Sequence, residues 1–277
     1  MPELPEVETV RRGLEREVVG KRIKTVAVTG TRTVRRQTKK QLITRLEGNK
    51  IKSVKRVGKY LVLELDTGDL LVIHLRMSGQ LLKNQPKDPL LKHTHVVISF
   101  TQGGQIRFVD PRTFGEVFVT RPDELTQEIP ELAELGMDPV DEQISWVRFG
   151  QLLVARTTKL KPLLMDQSFI AGIGNIYSDE ILWEAGLRHD RTPQTLSSME
   201  VRRLYRAVIE VLHEAVKHRG STLADQQYVD LFGRPGEYQE LHQVYDREGQ
   251  PCRRCRGTIV REKVSGRSSY YCPSCQT

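Results

Sequence analysis

The chain of 277 residues is long enough for two domains that each bury a core, and none of its apolar runs approaches the ~18 residues of a membrane-spanning helix. Its 43 Lys and Arg against 35 Asp and Glu give a formal charge of +8 and a pI near 9.3, which favours a polyanionic partner over a neutral metabolite. The acidic start, with Glu3, Glu6 and Glu8, is unlike a secretory signal, so the expectation is an intracellular protein whose four cysteines meet a reducing environment.

In chain order, Val7, Val10, Leu14 and Val18 recur at helical spacing with Pro5 in the first turn and Gly20 as a stop, which predicts a helix over 5–19. Strand character follows at 23–28, 51–57, 60–65, 70–77, 96–100, 105–109 and 116–120, so the first half reads as a mostly antiparallel β domain with one helix. Residues 121–144 hold eight acidic residues, one basic residue and three prolines, a composition shift that marks a linker or domain boundary. Beyond it the periodicity is helical at 146–155, 160–166, 178–185 and 198–217, the last opened by a capping box of Ser197 and Glu200.

Charge is uneven along the chain. Residues 21–59 carry fourteen Lys and Arg against the single acid Glu47, either a solvated face or a surface that tracks phosphates.

"CRRC" at 252–255 and "CPSC" at 272–275 are two Cys-x2-Cys knuckles separated by sixteen residues, the spacing of a tetrahedral zinc site. Cys252, Cys255, Cys272 and Cys275 leave no open coordination position, so one Zn2+ would be structural and would stabilise some thirty residues that lack a core of their own. The intervening "GTIVREKVSGRSSYY" predicts a β-hairpin turning at Ser265-Gly266-Arg267, in a module with six Lys and Arg and one acid, Glu262.

"MPELPEVE" at 1–8, "HLRMSGQ" at 74–80, "DPRTFG" at 110–115, "AGIGNIYSDEILW" at 171–183 and a "GR" hairpin between the Cys-x2-Cys pairs follow one another in one chain. Together they closely resemble the formamidopyrimidine-DNA glycosylase family, bifunctional enzymes that excise oxidised purines such as 8-oxoguanine, and the resemblance covers essentially the whole length. It implies an α+β fold: an N-terminal antiparallel β-sandwich with flanking helices, then a helix-two-turns-helix domain with a C-terminal β-hairpin zinc finger, with DNA in the cleft between. The implied parts are a catalytic β-sandwich over 1–130, a hinge over 131–145, a DNA-binding helical domain with the lesion loop over 146–240, and the finger over 241–277.

The resemblance also implies roles. Pro2 matches the family's nucleophile once Met1 is removed, and an α-amine with an unperturbed pKa of about 7.7–8.0 is partly neutral where a lysine is charged. Glu3 matches the acid that protonates the opening sugar, and Glu6 a second carboxylate near the amine; Glu8 is adequately explained by the helix dipole. Lys59, His74, Asn175 and Arg267 match phosphate binders around the flipped nucleotide. His74 could equally be a satisfied strand histidine, and Asn175 an N-cap or a turn residue. Met77, Arg112 and Phe114 match the trio that enters DNA where the lesion leaves, although Leu71, Ile73, Leu75 and Met77 alternate and could form one core face. Ser78 is a candidate for varying substrate contacts, and the polar stretch from 219 to 240 includes the family's mobile loop.

The expected partner is double-stranded DNA carrying oxidised purines or abasic sites, bound by a monomer in the bacterial cytoplasm at the nucleoid, with no membrane role. Two alternatives stand beside this. One is an endonuclease VIII-like glycosylase for oxidised pyrimidines; the other is a non-catalytic zinc-finger DNA-binding protein.

Overall fold

The computed structural model describes every residue except Ser265. By internal contacts the chain forms two units, Met1–Ala133 with His218–Glu237, and Glu134–Lys217 with Tyr238–Thr277.

The first unit opens with α1 (Leu4–Val18), whose Val7, Val10, Leu14 and Val18 are each 1% exposed, as their spacing predicts. Two antiparallel sheets follow. One has the order β1 (Ile23–Val28), β6 (Thr94–Phe100), β7 (Gln105–Val109), β5 (Gln80–Asn84); the other has β2 (Ile51–Val57), β3 (Tyr60–Leu65), β4 (Leu70–His74), β8 (Glu116–Thr120). In the second sheet Leu61 pairs with Ile73 and Ile73 with Val117, while Leu63 pairs with Leu71 and Leu71 with Val119. These rows join Ile98, Phe100, Ile106 and Phe108 of the first sheet and the apolar face of α1 in one core, the arrangement of a β-sandwich.

Tyr60, Val62, Val72 and Phe118 point to the other face of the second sheet and pack with Ile129. The acidic segment therefore begins as a cover for that face, with the short α3 (Leu125–Glu128) inside it and the Tyr60 hydroxyl donating to Glu131 at 2.7 Å.

Several elements differ from expectation. A second helix, α2 (Lys39–Leu46), and strand β5 were not anticipated, and β4 stops at His74 instead of running to 77. Residues 218–237, expected within the helical stretch 146–240, belong by contacts to the first unit: Tyr228 and Leu231 lie in its core, and the Lys83 N–H donates to the Leu231 carbonyl at 2.8 Å.

The second unit is helical: α4 (Trp146–Val154), α5 (Leu160–Leu164), α6 (Asn175–Ala185) and α7 (Ser198–Lys217). The expected capping box of α7 is present, with Ser197 N–H donating to Glu200 at 2.8 Å and Glu200 N–H to Ser197 Oγ at 3.3 Å. α6 is the central helix, buried from Ile176 to Trp183, and it begins three residues before the predicted start. Antiparallel β9 (Val260–Val264) and β10 (Arg267–Tyr271) form the C-terminal hairpin; of the expected turn, Gly266 and Arg267 are at the tip and Ser265 lies outside the described residues. Among the described residues no helix is long and apolar enough to cross a membrane.

Candidate active site and metal centre

Pro2 is buried directly before the helix that the sequence places behind it. Glu3 is the N-cap of α1 and shares a reciprocal capping box with Glu6: the Glu3 carboxylate accepts the Glu6 backbone N–H, and Glu6 Oε2 accepts the Glu3 N–H at 2.8 Å. Glu6 Oε1 accepts the Ser221 N–H at 2.7 Å. Both carboxylates are buried, at 3% and 1% exposure, so the groups beside Pro2 are fixed by the start of the helix and by the 218–237 loop.

Glu8 corrects a sequence expectation, because its place is set by more than a helix dipole. It is buried and accepts from Arg11 Nε at 2.9 Å, Arg12 Nε at 2.8 Å and Arg56 Nε at 3.2 Å. Burial alone would raise its pKa, yet the hydrogen bonds of Arg11 and Arg12 and the nearby positive charges hold it below the usual carboxylate range. Arg56, fully buried, also donates to the Gly58 carbonyl at 3.2 Å. Helix α1 is thereby tied to the β2–β3 hairpin, where Lys59 stands half-buried beside Gly58.

His74 ends β4, 6% exposed, with its ring edge-on to Tyr60 at a centroid distance of 4.3 Å. Its Nδ1 accepts the Arg76 backbone N–H at 2.9 Å, which leaves the proton on Nε2 as the ring's donor. Burial, with the Arg76 charge second, lowers its pKa to about 3, so it is a neutral donor. The Arg76 guanidinium in turn pairs with Glu116 at 2.6 Å, and Arg36 binds the same carboxylate.

Met77 is outside the core. Leu71, Ile73 and Leu75 are at most 2% exposed, but the strand has ended before Met77, which lies in a turn at 40% exposure. Phe114 is 49% exposed on the loop between β7 and β8, with the Arg112 guanidinium 5.3 Å from its ring centroid. Ser78 is fully buried and donates to Asp110 Oδ1 at 2.5 Å, which assigns it to the scaffold instead of a substrate surface. Asp110 also accepts the N–H groups of Arg112 at 3.2 Å and Gly115 at 2.7 Å.

In the second unit, Asn175 is the first residue of α6 and Gly174 its N-cap, so Asn175 is not the cap. Its Oδ1 is buried without a hydrogen-bond partner among the described residues. Arg267 is exposed at the hairpin tip. The same "SDE" run holds two residues that went unread: Asp179 accepts from Lys161 Nζ at 2.7 Å and from the Tyr270 N–H at 2.9 Å, and Glu180 accepts three backbone N–H groups, from Gln243, Val244 and Tyr245. Two adjacent acids among the buried positions of a helix rich in Ile, Leu, Tyr and Trp were the available signal.

The four cysteine sulfurs lie within 4.8 Å of one another. Cys252 and Cys275 are 3.7 Å apart and Cys255 and Cys272 3.4 Å, close to the ~3.8 Å edge of a tetrahedron with Zn–S bonds of about 2.3 Å. Burial raises the Cys252 thiol, but the Cys255 N–H and the Trp183 indole outweigh it and bring it to about 6. Burial and the crowded neighbouring thiols push Cys275 up. Sulfurs this close ionise together only around a cation, and the donor set fits one structural Zn2+.

Three family models match consecutive stretches: the formamidopyrimidine-DNA glycosylase N-terminal domain at 1–117, the formamidopyrimidine-DNA glycosylase H2TH domain at 135–227, and the zinc finger found in FPG and IleRS at 249–277. The formamidopyrimidine-DNA glycosylase of Heliobacterium modesticaldum is 46% identical, with each chain covered completely. The Lactococcus lactis Fpg in complex with DNA containing an abasic site superposes with a TM-score of 0.90 at 35% identity over 99% of both chains. A complex of the same Lactococcus lactis protein with Fapy-dG containing DNA gives a TM-score of 0.88 at 35% identity, covering 99% of this chain and all of that one. With three domain models in register and relatives matched from end to end, the chain belongs to the formamidopyrimidine-DNA glycosylase family.

Proposed function

We propose that the protein is a base-excision repair enzyme that removes oxidised purines, 8-oxoguanine and formamidopyrimidines, from double-stranded DNA and then cleaves the strand at the abasic site. The observation that carries this is Pro2 placed at a buried, capped helix start beside two fixed carboxylates, in a chain that matches the family throughout.

After loss of Met1, the Pro2 secondary amine attacks C1′ of the damaged nucleotide. The glycosidic bond breaks and the base leaves; Glu3 protonates the ring oxygen as the sugar opens, giving a Pro2 iminium. That cation acidifies C2′–H, so loss of this proton expels the 3′ phosphate, and a second elimination expels the 5′ phosphate. Glu6 assists the proton transfers. Lys59, neutral His74, Asn175 and Arg267 hold phosphates, and the start of α6 adds its dipole at Asn175. Phe114 wedges between base steps, Arg112 pairs with the orphaned cytosine and Met77 fills the vacancy, which lowers the cost of extruding the base. The zinc centre supports the hairpin that carries Arg267. The enzyme acts as a monomer in the bacterial cytoplasm, at the nucleoid.

The test is excision from duplexes carrying 8-oxoguanine opposite cytosine, a formamidopyrimidine, or thymine glycol. Release of the purine lesions with phosphate at both ends of the gap is expected. Preference for thymine glycol would move the protein to the endonuclease VIII-like reading, and binding without release on every duplex would leave a non-catalytic DNA-binding protein.

A further inference from the structure

The three side chains proposed to enter DNA come from two separate segments, the turn after β4 and the loop after β7, and their tips are exposed. A Met or Phe that is 40–49% exposed is only partly held by packing, so the position of its segment must be set from below. Asp110 supplies that connection. Fully buried, it takes the Ser78 hydroxyl from the Met77 turn on Oδ1, and within its own loop it takes the N–H of Arg112 on Oδ1 and of Gly115 on Oδ2. Both segments also rest on one ring. A Cβ at Gly79 would come within 3.0 Å of Phe108 Cζ, and a Cβ at Gly115 within 2.5 Å of the same atom. Gly115 is thus required by close approach to Phe108, and Gly79 by the Leu75 carbonyl, 2.6 Å from a Cβ there, as well as by that ring.

We infer that Asp110 and Ser78 are positioning residues that lock the Met77 turn to the Arg112–Phe114 loop, so that void-filling and reading of the opposite base occur as one event. This rests on the proposed function. A buried carboxylate keeps its place only while its donors are present, and Ser78 is the donor that crosses between the segments. Without it the Arg112 and Gly115 N–H bonds survive, and the loop keeps its local turn and its seat on Phe108 but loses its hydrogen bond to the Met77 turn.

The experiment compares Ser78→Ala with the unsubstituted full chain in single-turnover excision of 8-oxoguanine opposite cytosine and opposite adenine, and in cleavage of a single-stranded abasic oligonucleotide, which needs no opposite-base contact. S78A is expected to lose roughly tenfold opposite cytosine, the size of one hydrogen bond to a charged acceptor. Its preference for cytosine over adenine should shrink, while single-strand abasic cleavage stays within about twofold. Asp110→Asn, which keeps the shape and loses one acceptor, should shift the preference in the same direction. An unaltered preference in both variants overturns the inference, as does an equal loss on all three substrates, which is the mark of a merely structural residue. A wild-type protein that releases no purine overturns the proposed function and this inference with it; an active wild type with insensitive variants overturns this inference alone.

Discussion

The Ser221 backbone N–H donates to Glu6 Oε1 at 2.7 Å, joining the start of the first helix to a loop 215 residues further along the chain. The other Glu6 oxygen holds the Glu3 N–H, so one carboxylate fixes both the proposed acid and the loop. Gly220, at φ +73°, makes this approach possible, since a Cβ there would stand 2.4 Å from Glu6 Oε1. Gly220→Ala is expected to lower stability by about 2 kcal/mol through clash and backbone strain. Urea unfolding checks this, and an unchanged midpoint and slope would contradict it.

The Glu8–Arg56 pair supports a second prediction. Glu8→Ala removes the carboxylate that the fully buried Arg56 meets at 3.2 Å, in the stretch that leads to Lys59. A loss of about 3 kcal/mol is expected, the low end for breaking a buried ion pair. Calorimetry should show a markedly lower Tm, whereas Glu15→Ala, at an exposed partner of Arg11, should cost under about 1 kcal/mol. Equal effects would show that the buried cluster has no special weight.

His74 and Lys59 are both proposed to meet phosphate, and they differ in charge. The folded His74 pKa of about 3 lies below its ordinary 6.5, so the unfolded chain takes up the proton first as pH falls. Its contribution to stability is present above pH 6.5 and is lost as pH falls toward 3. His74→Gln should therefore reduce the loss of stability in that window; His242, held at about 4 by burial, keeps the same sign of dependence. At neutral pH a His74 without charge releases no counterion. H74Q should leave the slope of log affinity against log salt unchanged, and Lys59→Ala should reduce it by about 0.9. A slope change in H74Q equal to that in K59A would sink the neutral-donor assignment.

Periodicity made α1 and α7 legible, and the apolar face of α1 is where the spacing placed it, whereas in α7 Leu204, Val208, Leu212 and Ala215 are buried but Met199 is 73% exposed. The zinc ligands were legible because thiol spacing is a local code, and the four sulfurs converge. Strand β5 was missed because Leu81 and Leu82 are both buried and break the alternation that marks a strand. Helix α2 was missed in a basic, weakly apolar stretch, although Thr38 and Gln41 form a capping box that could have located it. The sequence could not choose between core and surface for Met77, because alternation continues past the residue where pairing ends. Nor could it reveal that Ser78 and Asp110, 32 residues apart, share a hydrogen bond, or that Glu8 meets Arg56. Those are tertiary contacts, and no local pattern encodes them.

The metal centre gives a fourth prediction. Elemental analysis should find one zinc per chain, and Cys272→Ser should retain none. Loss of the ion should also red-shift the emission of Trp183, whose indole donates to Cys252 Sγ at 3.3 Å, as the finger loosens. Affinity for DNA should fall at least about tenfold if the hairpin presents Arg267. A zinc-free C272S protein with native emission and affinity would contradict a structural role for the ion.

The most direct test of catalysis by the N-terminal amine is borohydride trapping on a duplex with 8-oxoguanine opposite cytosine, followed by mass mapping of the crosslinked peptide. One covalent complex is expected, with the reduced sugar on the nitrogen of Pro2 and Met1 absent, and Pro2→Gly, which keeps a terminal amine but makes it primary, should trap more weakly. A crosslink mapped to a lysine, or none from a protein that still releases the base, would contradict it.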